Sequence, residues 1–215
     1  MTIDLGVAYG AARVRICNLV STAGADGHMV VPASPAWTVQ NVMAHISGIA
    51  ADATSGNMAG APGEEWTAAQ VARSEGKSVP DLIAEWEQSG PLLEAFLSAP
   101  GGELASAAVI DIHTHEADLR HALGAPASVP ADFLQWAAAT LRDGFVAAVA
   151  GAWLAPVEVA ANDFDWFRGR LGRRTVDEVR AFTWSLDPAP YLDSFFIFGR
   201  RDVPLGEGGA SENRE

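Results

Sequence analysis

The stretch that decides the fold is Asp111-Ile-His-Thr-His-Glu-Ala-Asp-Leu-Arg-His-Ala-Leu-Gly124, which holds three of the chain's five histidines. It reads as a single helical run. Residues four apart on a helix share a face, with Cβ atoms about 5–6 Å apart, so Asp111 and His115 can point at one ion. Asp118, three residues further, joins that face. His113 is two steps of about 100° from Asp111, on roughly the opposite side, and is a poor candidate for the same site. A carboxylate and an imidazole at this spacing supply two ligands. A catalytic metal takes a third from elsewhere and keeps one position open for water or substrate.

Upstream of this run the chain supplies facing helices. Residues 4–20 place Leu5, Ala8, Ala12, Ile16 and Leu19 at steps of three and four, the stripe of an amphipathic helix. Cys17, beside that stripe, reads as a small buried residue of a helix core. Gly24, Gly27, Pro32 and Pro35 break the pattern. A second helix begins at Trp37, with Thr38 as N-cap and Asn41 where a capping-box side chain reaches back. Val39, Val42, Met43, Ile46, Ile49 and Ala50 form its inward stripe. His45 lies at the edge of that stripe, either as a core imidazole bonded to a neighbour or as the missing ligand.

Residues 60–64 read as a loop and residues 66–73 as a short helix ending near Gly76. Pro80 then occupies a favoured first-turn position, and Leu82, Ile83, Trp86, Leu92, Leu93, Phe96 and Leu97 continue an apolar stripe. Gly90-Pro91 is expected to kink that element or divide it in two. The central helix spans residues 103–123 and closes at Gly124, with Pro126 beyond. After Pro130 another helix carries Phe133, Trp136, Ala137, Leu141, Phe145 and Ala148. The first 150 residues thus offer four principal helices, and bundles build their metal sites from side chains on facing helices.

From Pro156 the texture changes. Residues 157–160, 181–184 and 194–198 read as strands, Phe164, Phe167 and Leu171 as one face of a short helix, and Thr175 with Glu178 as a capping box. The expected fold is mainly α: a four-helix bundle over residues 1–152, a small α+β appendage over 153–205, and a disordered tail over 206–215.

Composition narrows the partners. The 215 residues are 49% hydrophobic and 19% charged, with no apolar run near the roughly 20 residues of a membrane span. The start, Met1-Thr-Ile-Asp-Leu-Gly6, lacks the basic region and apolar stretch of a secretory signal, so a cytoplasmic protein is expected. One cysteine cannot form an internal disulfide. A net charge of −13, with Lys77 the sole lysine, repels phosphate backbones and anionic lipid. Neither nucleic acid nor a membrane surface is an expected partner, and the chain is expected to be a monomer or homodimer.

Trp37-Thr-Val followed by His45, then Asp111-x-x-x-His115-x-x-Asp118-x-Arg120-x-Ala-Leu-Gly124, resembles the mycothiol-dependent maleylpyruvate isomerase family, a branch of the DinB-like four-helix bundles. The run Phe164-Asp-Trp-Phe-Arg-Gly-Arg-Leu-Gly-Arg-Arg174, with Asp187-Pro-Ala-Pro-Tyr191, is similar to that family's appendage, so the resemblance covers nearly the whole chain. It implies a divalent metal, usually zinc, held by His45, Asp111 and His115. The family has Glu where this chain has Asp111, one methylene shorter, so the ion has to sit closer to the helix or the backbone has to shift. It also implies mycothiol, the low-molecular-weight thiol of actinobacteria, as cosubstrate. Asp118 matches an acidic position near thiol or substrate, and its placement suits either that contact or orientation of an imidazole. Arg173 best matches a position that holds a substrate carboxylate through its planar fork, with Arg170 and Arg174 as competitors. Arg120 and His121 read as surface or packing residues.

A thiol bound to such a metal loses its proton, and the thiolate is the nucleophile. Cys17 carries no sign of activation, so the reacting sulfur is expected to come from the cosubstrate. The implied activity is thiol addition to an electrophilic small molecule, either reversible, giving cis–trans isomerisation, or terminal, giving an S-conjugate. The alternatives are a non-catalytic small-molecule binder on the same bundle, with a structural metal or none, and an inactive paralogue.

Overall fold

The computed structural model describes residues 2–24 and 26–207. In chain order its elements are α1 (Leu5–Thr22), β1 (Val30–Val31), β2 (Ser34–Thr38), α2 (Val39–Ser55), α3 (Glu64–Arg73), α4 (Val79–Ser98), α5 (Ser106–Ala122), α6 (Ala131–Gly151), β3 (Val159–Ala160), α7 (Asp163–Arg170), α8 (Val176–Arg180), β4 (Thr183–Trp184) and α9 (Leu192–Phe195). The chain is mainly α-helical, as expected, and its described residues divide into two compact units, residues 3–128 and residues 129–207 with Thr2. Among the described residues no helix is long and apolar enough to cross a membrane.

In the first unit the helices start where side chains satisfy their free N–H groups. The Asp4 carboxylate accepts from the Val7 N–H to begin α1, Thr38 and Asn41 form the expected capping box at α2, and Ser78 and Asp81 form another at α4. α1 and α2 each pack against both α4 and α5, so the four helices close on a shared core. Tyr9, Ile16, Met43, Ile46, Leu82, Trp86, Ile112 and Leu119 are its largest buried members. The α1 stripe runs through Tyr9 and Val20, whereas Ala8 and Leu19 are only half-buried. Tyr9 Oη accepts a 3.1 Å hydrogen bond from Trp86 Nε1, which satisfies both buried polar tips. A Cβ on Gly6 would lie 2.1 Å from the Glu94 carbonyl oxygen, so only glycine permits this approach of α1 to α4.

α4 continues through Pro91 rather than dividing there, and Leu92 and Phe96 are exposed. The inward face is set by Leu82, Trp86, Gly90, Leu93 and Leu97; Leu92 and Phe96 sit one residue before it, about 100° round the helix. α5 is anchored to α1 by a buried carboxylate: Glu116 receives Arg15 Nε and Nη2 at 2.9 and 2.7 Å and Arg120 Nε at 3.1 Å. Arg120 thus has a structural partner inside the helix.

α6 packs with α7 and α9 in the second unit, although the sequence reading counts it with the bundle up to residue 152. Phe145 and Val149 join Trp166, Val179, Tyr191, Leu192 and Phe195 in that unit's core. β3 and β4 form a two-residue antiparallel pair. Residues 192–195 are the helical turn α9 rather than part of a strand, because Leu192 and Phe195, three apart, both reach the aromatic core. Of the expected tail, Glu207 is placed, its carboxylate accepting from Arg168 and Arg174; residues 208–215 lie outside the described residues.

Candidate metal centre

The capped start of α2 fixes the direction in which His45 leaves the helix. Its ring is buried, with 5% of the residue exposed. Asp111 and His115, four apart on α5, project from one face as their spacing requires. His45 Nε2 lies 3.4 Å from Asp111 Oδ2, and His115 Nε2 lies 3.6 Å from Asp111 Oδ1. One ligating atom from each of the three residues falls within 4.8 Å of the others, and this trio can hold a metal ion. Donors about 2.0–2.1 Å from a tetrahedral zinc stand roughly 3.3–3.4 Å apart, and each imidazole lies close to that distance from one oxygen of the Asp111 carboxylate.

The His45 ring presents the correct nitrogen. His45 Nδ1 is 2.7 Å from Gln70 Oε1, and the Gln70 amide donates its Nε2 to Asp52 Oδ2 at 2.9 Å. An ionised carboxylate only accepts, so Gln70 must turn its oxygen toward His45, Nδ1 must carry the proton, and the Nε2 lone pair faces Asp111. His115 Nδ1 lies 3.4 Å from Asp118 Oδ2, within ion-pair distance but without hydrogen-bond alignment. Asp118 is fully buried, which suits orientation of His115 better than direct contact with a substrate. Burial disfavours a proton on His45, but the Asp111 charge, with hydrogen bonds to Asp111 and Gln70, outweighs it, and the His45 pKa is raised. The Asp111 charge thus favours positive charge at His45.

Trp37, at the end of β2, walls the centre. Its ring lies nearly parallel to His115 at 5.9 Å and edge-on to His45 at 5.1 Å. The Asp111 side chain is 29% exposed whereas both imidazoles are 7% exposed, so the trio opens to solvent on the Asp111 side.

The other candidates have their own surroundings. His113 is buried, with Nδ1 2.8 Å from the Val109 carbonyl one turn back. Arg173 belongs to the second unit, half-buried, with Nη1 donating to the Leu171 carbonyl at 2.6 Å. Arg170 is buried between Phe145 and Phe195 and donates to the Ser194 and Phe195 carbonyls; desolvation brings its pKa down to about 10. Arg174 is buried against Asp165 and Glu207. Cys17 is half-buried, and burial pushes its thiol up to about 11, away from nucleophilic use at neutral pH. Gln70 and Asp52 were not singled out by the sequence. Asp52 lies seven residues after His45, two turns along the same helix face, whereas nothing local distinguishes Gln70.

Compared with family models, with curated proteins and with solved structures, the chain finds no match.

Proposed function

We propose that this chain is a metal-dependent thiol transferase or isomerase of the kind it resembles, a DinB-like bundle relative of the mycothiol-dependent maleylpyruvate isomerases. The observation that carries the reading is the convergence of His45, Asp111 and His115, with His45 Nδ1 bonded to Gln70 and both Nε2 atoms turned to one carboxylate. A divalent cation there, zinc by preference for this donor set, would stabilise the thiolate of a bound thiol at neutral pH. His45 and His115 would bind such an ion through Nε2 and Asp111 would supply the anionic ligand, with a thiol such as mycothiol approaching from the partly exposed Asp111 side. Asp118 lies beside His115 Nδ1, and Trp37 packs against both rings. Because Cys17 is poorly ionised, the sulfur that adds to the electrophile comes from the small thiol. Reversible addition isomerises an activated double bond, and terminal addition leaves an S-conjugate.

The test uses the cobalt-substituted protein. Addition of a low-molecular-weight thiol, mycothiol or a simple analogue, should produce a sulfur-to-cobalt charge-transfer band, and removing Asp111 should abolish it. A cobalt spectrum indifferent to thiol would refute the proposal. It would favour a non-catalytic binding protein, a second reading supported by a groove of about 1000 Å³ lined by Trp37, Gln40, Ala68, Val71, Lys77 and Pro80.

A further inference from the structure

Behind His45 stands a chain of side chains that resemblance and motif leave without a role. Asp52 Oδ1 accepts from Arg73 Nη2 at 2.7 Å and from Asn57 Nδ2 at 2.8 Å, while Oδ2 accepts from Gln70 Nε2 at 2.9 Å. Gln70 is 1% and Asp52 3% exposed, so water offers little alternative partnership. Gln70 Oε1 then meets His45 Nδ1 at 2.7 Å.

An amide in such a chain is a two-way element, since it can be turned over at little cost to its shape, exchanging donor for acceptor at each end. What fixes its direction is the group at its far end. We propose that Asp52 and Gln70 are positioning residues for the metal centre: the Asp52 carboxylate sets the direction of the Gln70 amide, and the amide sets the tautomer in which His45 offers Nε2 to a cation. The inference rests on the proposed metal centre and adds to it a polarity relay between α2 and α3 that reaches the ligand from Asp52.

The geometry dictates what happens when the carboxylate becomes an amide. In Asp52→Asn the oxygen stays where two donors, Arg73 and Asn57, already converge. The new NH2 takes the Oδ2 position and faces Gln70. Gln70 must turn over to accept from it, which brings its own NH2 to His45 Nδ1. That nitrogen then becomes the acceptor, the proton moves to Nε2, and the lone pair that faces Asp111 is lost. A substitution beyond the metal's own ligands thereby blocks the cation, although every ligand residue is still present.

The compensating change is equally specific. In the double variant Asp52→Asn with Gln70→Glu, the carboxylate has moved one step along the chain. It accepts from the amide at position 52 and, through its other oxygen, from His45 Nδ1–H, so the original tautomer returns with the same total charge.

The test measures two quantities on the full chain. Zinc affinity is read by chelator competition, and the His45 tautomer is read from imidazole 15N shifts of the metal-free protein above the pH of ring titration. The expected result is an Nδ1–H tautomer in wild type, an Nε2–H tautomer and roughly 10–100-fold weaker zinc binding in Asp52→Asn, and recovery of both in the double variant. A folded Asp52→Asn protein with wild-type tautomer and affinity overturns the relay, as does a folded double variant that recovers neither. If Asp52→Asn does not fold, the double variant alone decides by the same criteria. If wild type takes up no zinc, the metal centre fails as a reading. The tautomer comparison, made without metal, still upholds or overturns control of His45 by Asp52.

Discussion

Replacing Glu116 by Ala tests what holds the site-bearing helix in place. The Glu116 side chain is 2% exposed and faces Arg15 through both oxygens and Arg120 through one, with separations of 2.7–3.1 Å. Truncation leaves two guanidiniums without their carboxylate. Removing one partner of a fully buried pair costs about 3–5 kcal/mol. Here the Arg15 and Arg120 side chains are 28% and 16% exposed, so water recovers part of the loss, and about 2–4 kcal/mol is expected. At roughly 2–4 °C per kcal/mol for a chain of this length, the Tm falls by roughly 4–16 °C. Glu116→Gln keeps the shape and loses the charge, so it should fall between wild type and Glu116→Ala. Urea denaturation of the three proteins measures the differences directly. A Glu116→Ala protein within about 0.5 kcal/mol of wild type, the scatter of ordinary surface substitutions, would refute the claim that this ion pair fastens α5 to α1.

Three further outcomes follow from other places in the chain. Trp153 has φ +58° just after α6 and is 95% exposed, so Trp153→Gly relieves a left-handed strain without losing packing and should stabilise by about 0.5–1 kcal/mol; a lower denaturation midpoint would contradict this. Burial alone would raise the Asp52 carboxyl, but hydrogen bonds from Arg73, Asn57 and Gln70 outweigh it and hold the pKa below 3.8. Because the folded value is depressed, its stabilisation is fully present above the unfolded value and lost as pH falls through the folded one. The stability gap between wild type and Asp52→Ala should therefore be constant above about pH 5 and narrow below 3.8; a gap that widens in acid would reverse the assignment. Cys17, its thiol raised to about 11, should react with a disulfide reagent far more slowly in the native chain than after denaturation, and rapid native labelling would contradict its burial.

The parts of this molecule that were legible in the sequence are those encoded locally. Thr38 with Asn41 and Thr175 with Glu178 announce helix starts over three residues, and both form as read. Asp111 and His115 are one turn apart, so helix geometry alone places them together. His45 was visible only as an imidazole at the edge of a stripe, because its partners lie on α3 and α5. Gln70, which contacts it, is 25 residues away, and a glutamine in a short amphipathic helix carries no periodic mark. The destination of α6 was hidden for a related reason: its stripe shows that Phe145 and Val149 are buried but not against which elements. The run at 194–198 reads as strand by propensity, and packing of Phe195 into the second core overrides it.

The central claim is that His45, Asp111 and His115 together hold one divalent cation, and metal analysis of the untagged protein tests it most directly. The account predicts about one equivalent of zinc per chain after equilibration with the metal, lost in His45→Ala, Asp111→Ala and His115→Ala proteins that remain folded. A wild-type protein that takes up no zinc, or single variants that retain it in full, would contradict the account.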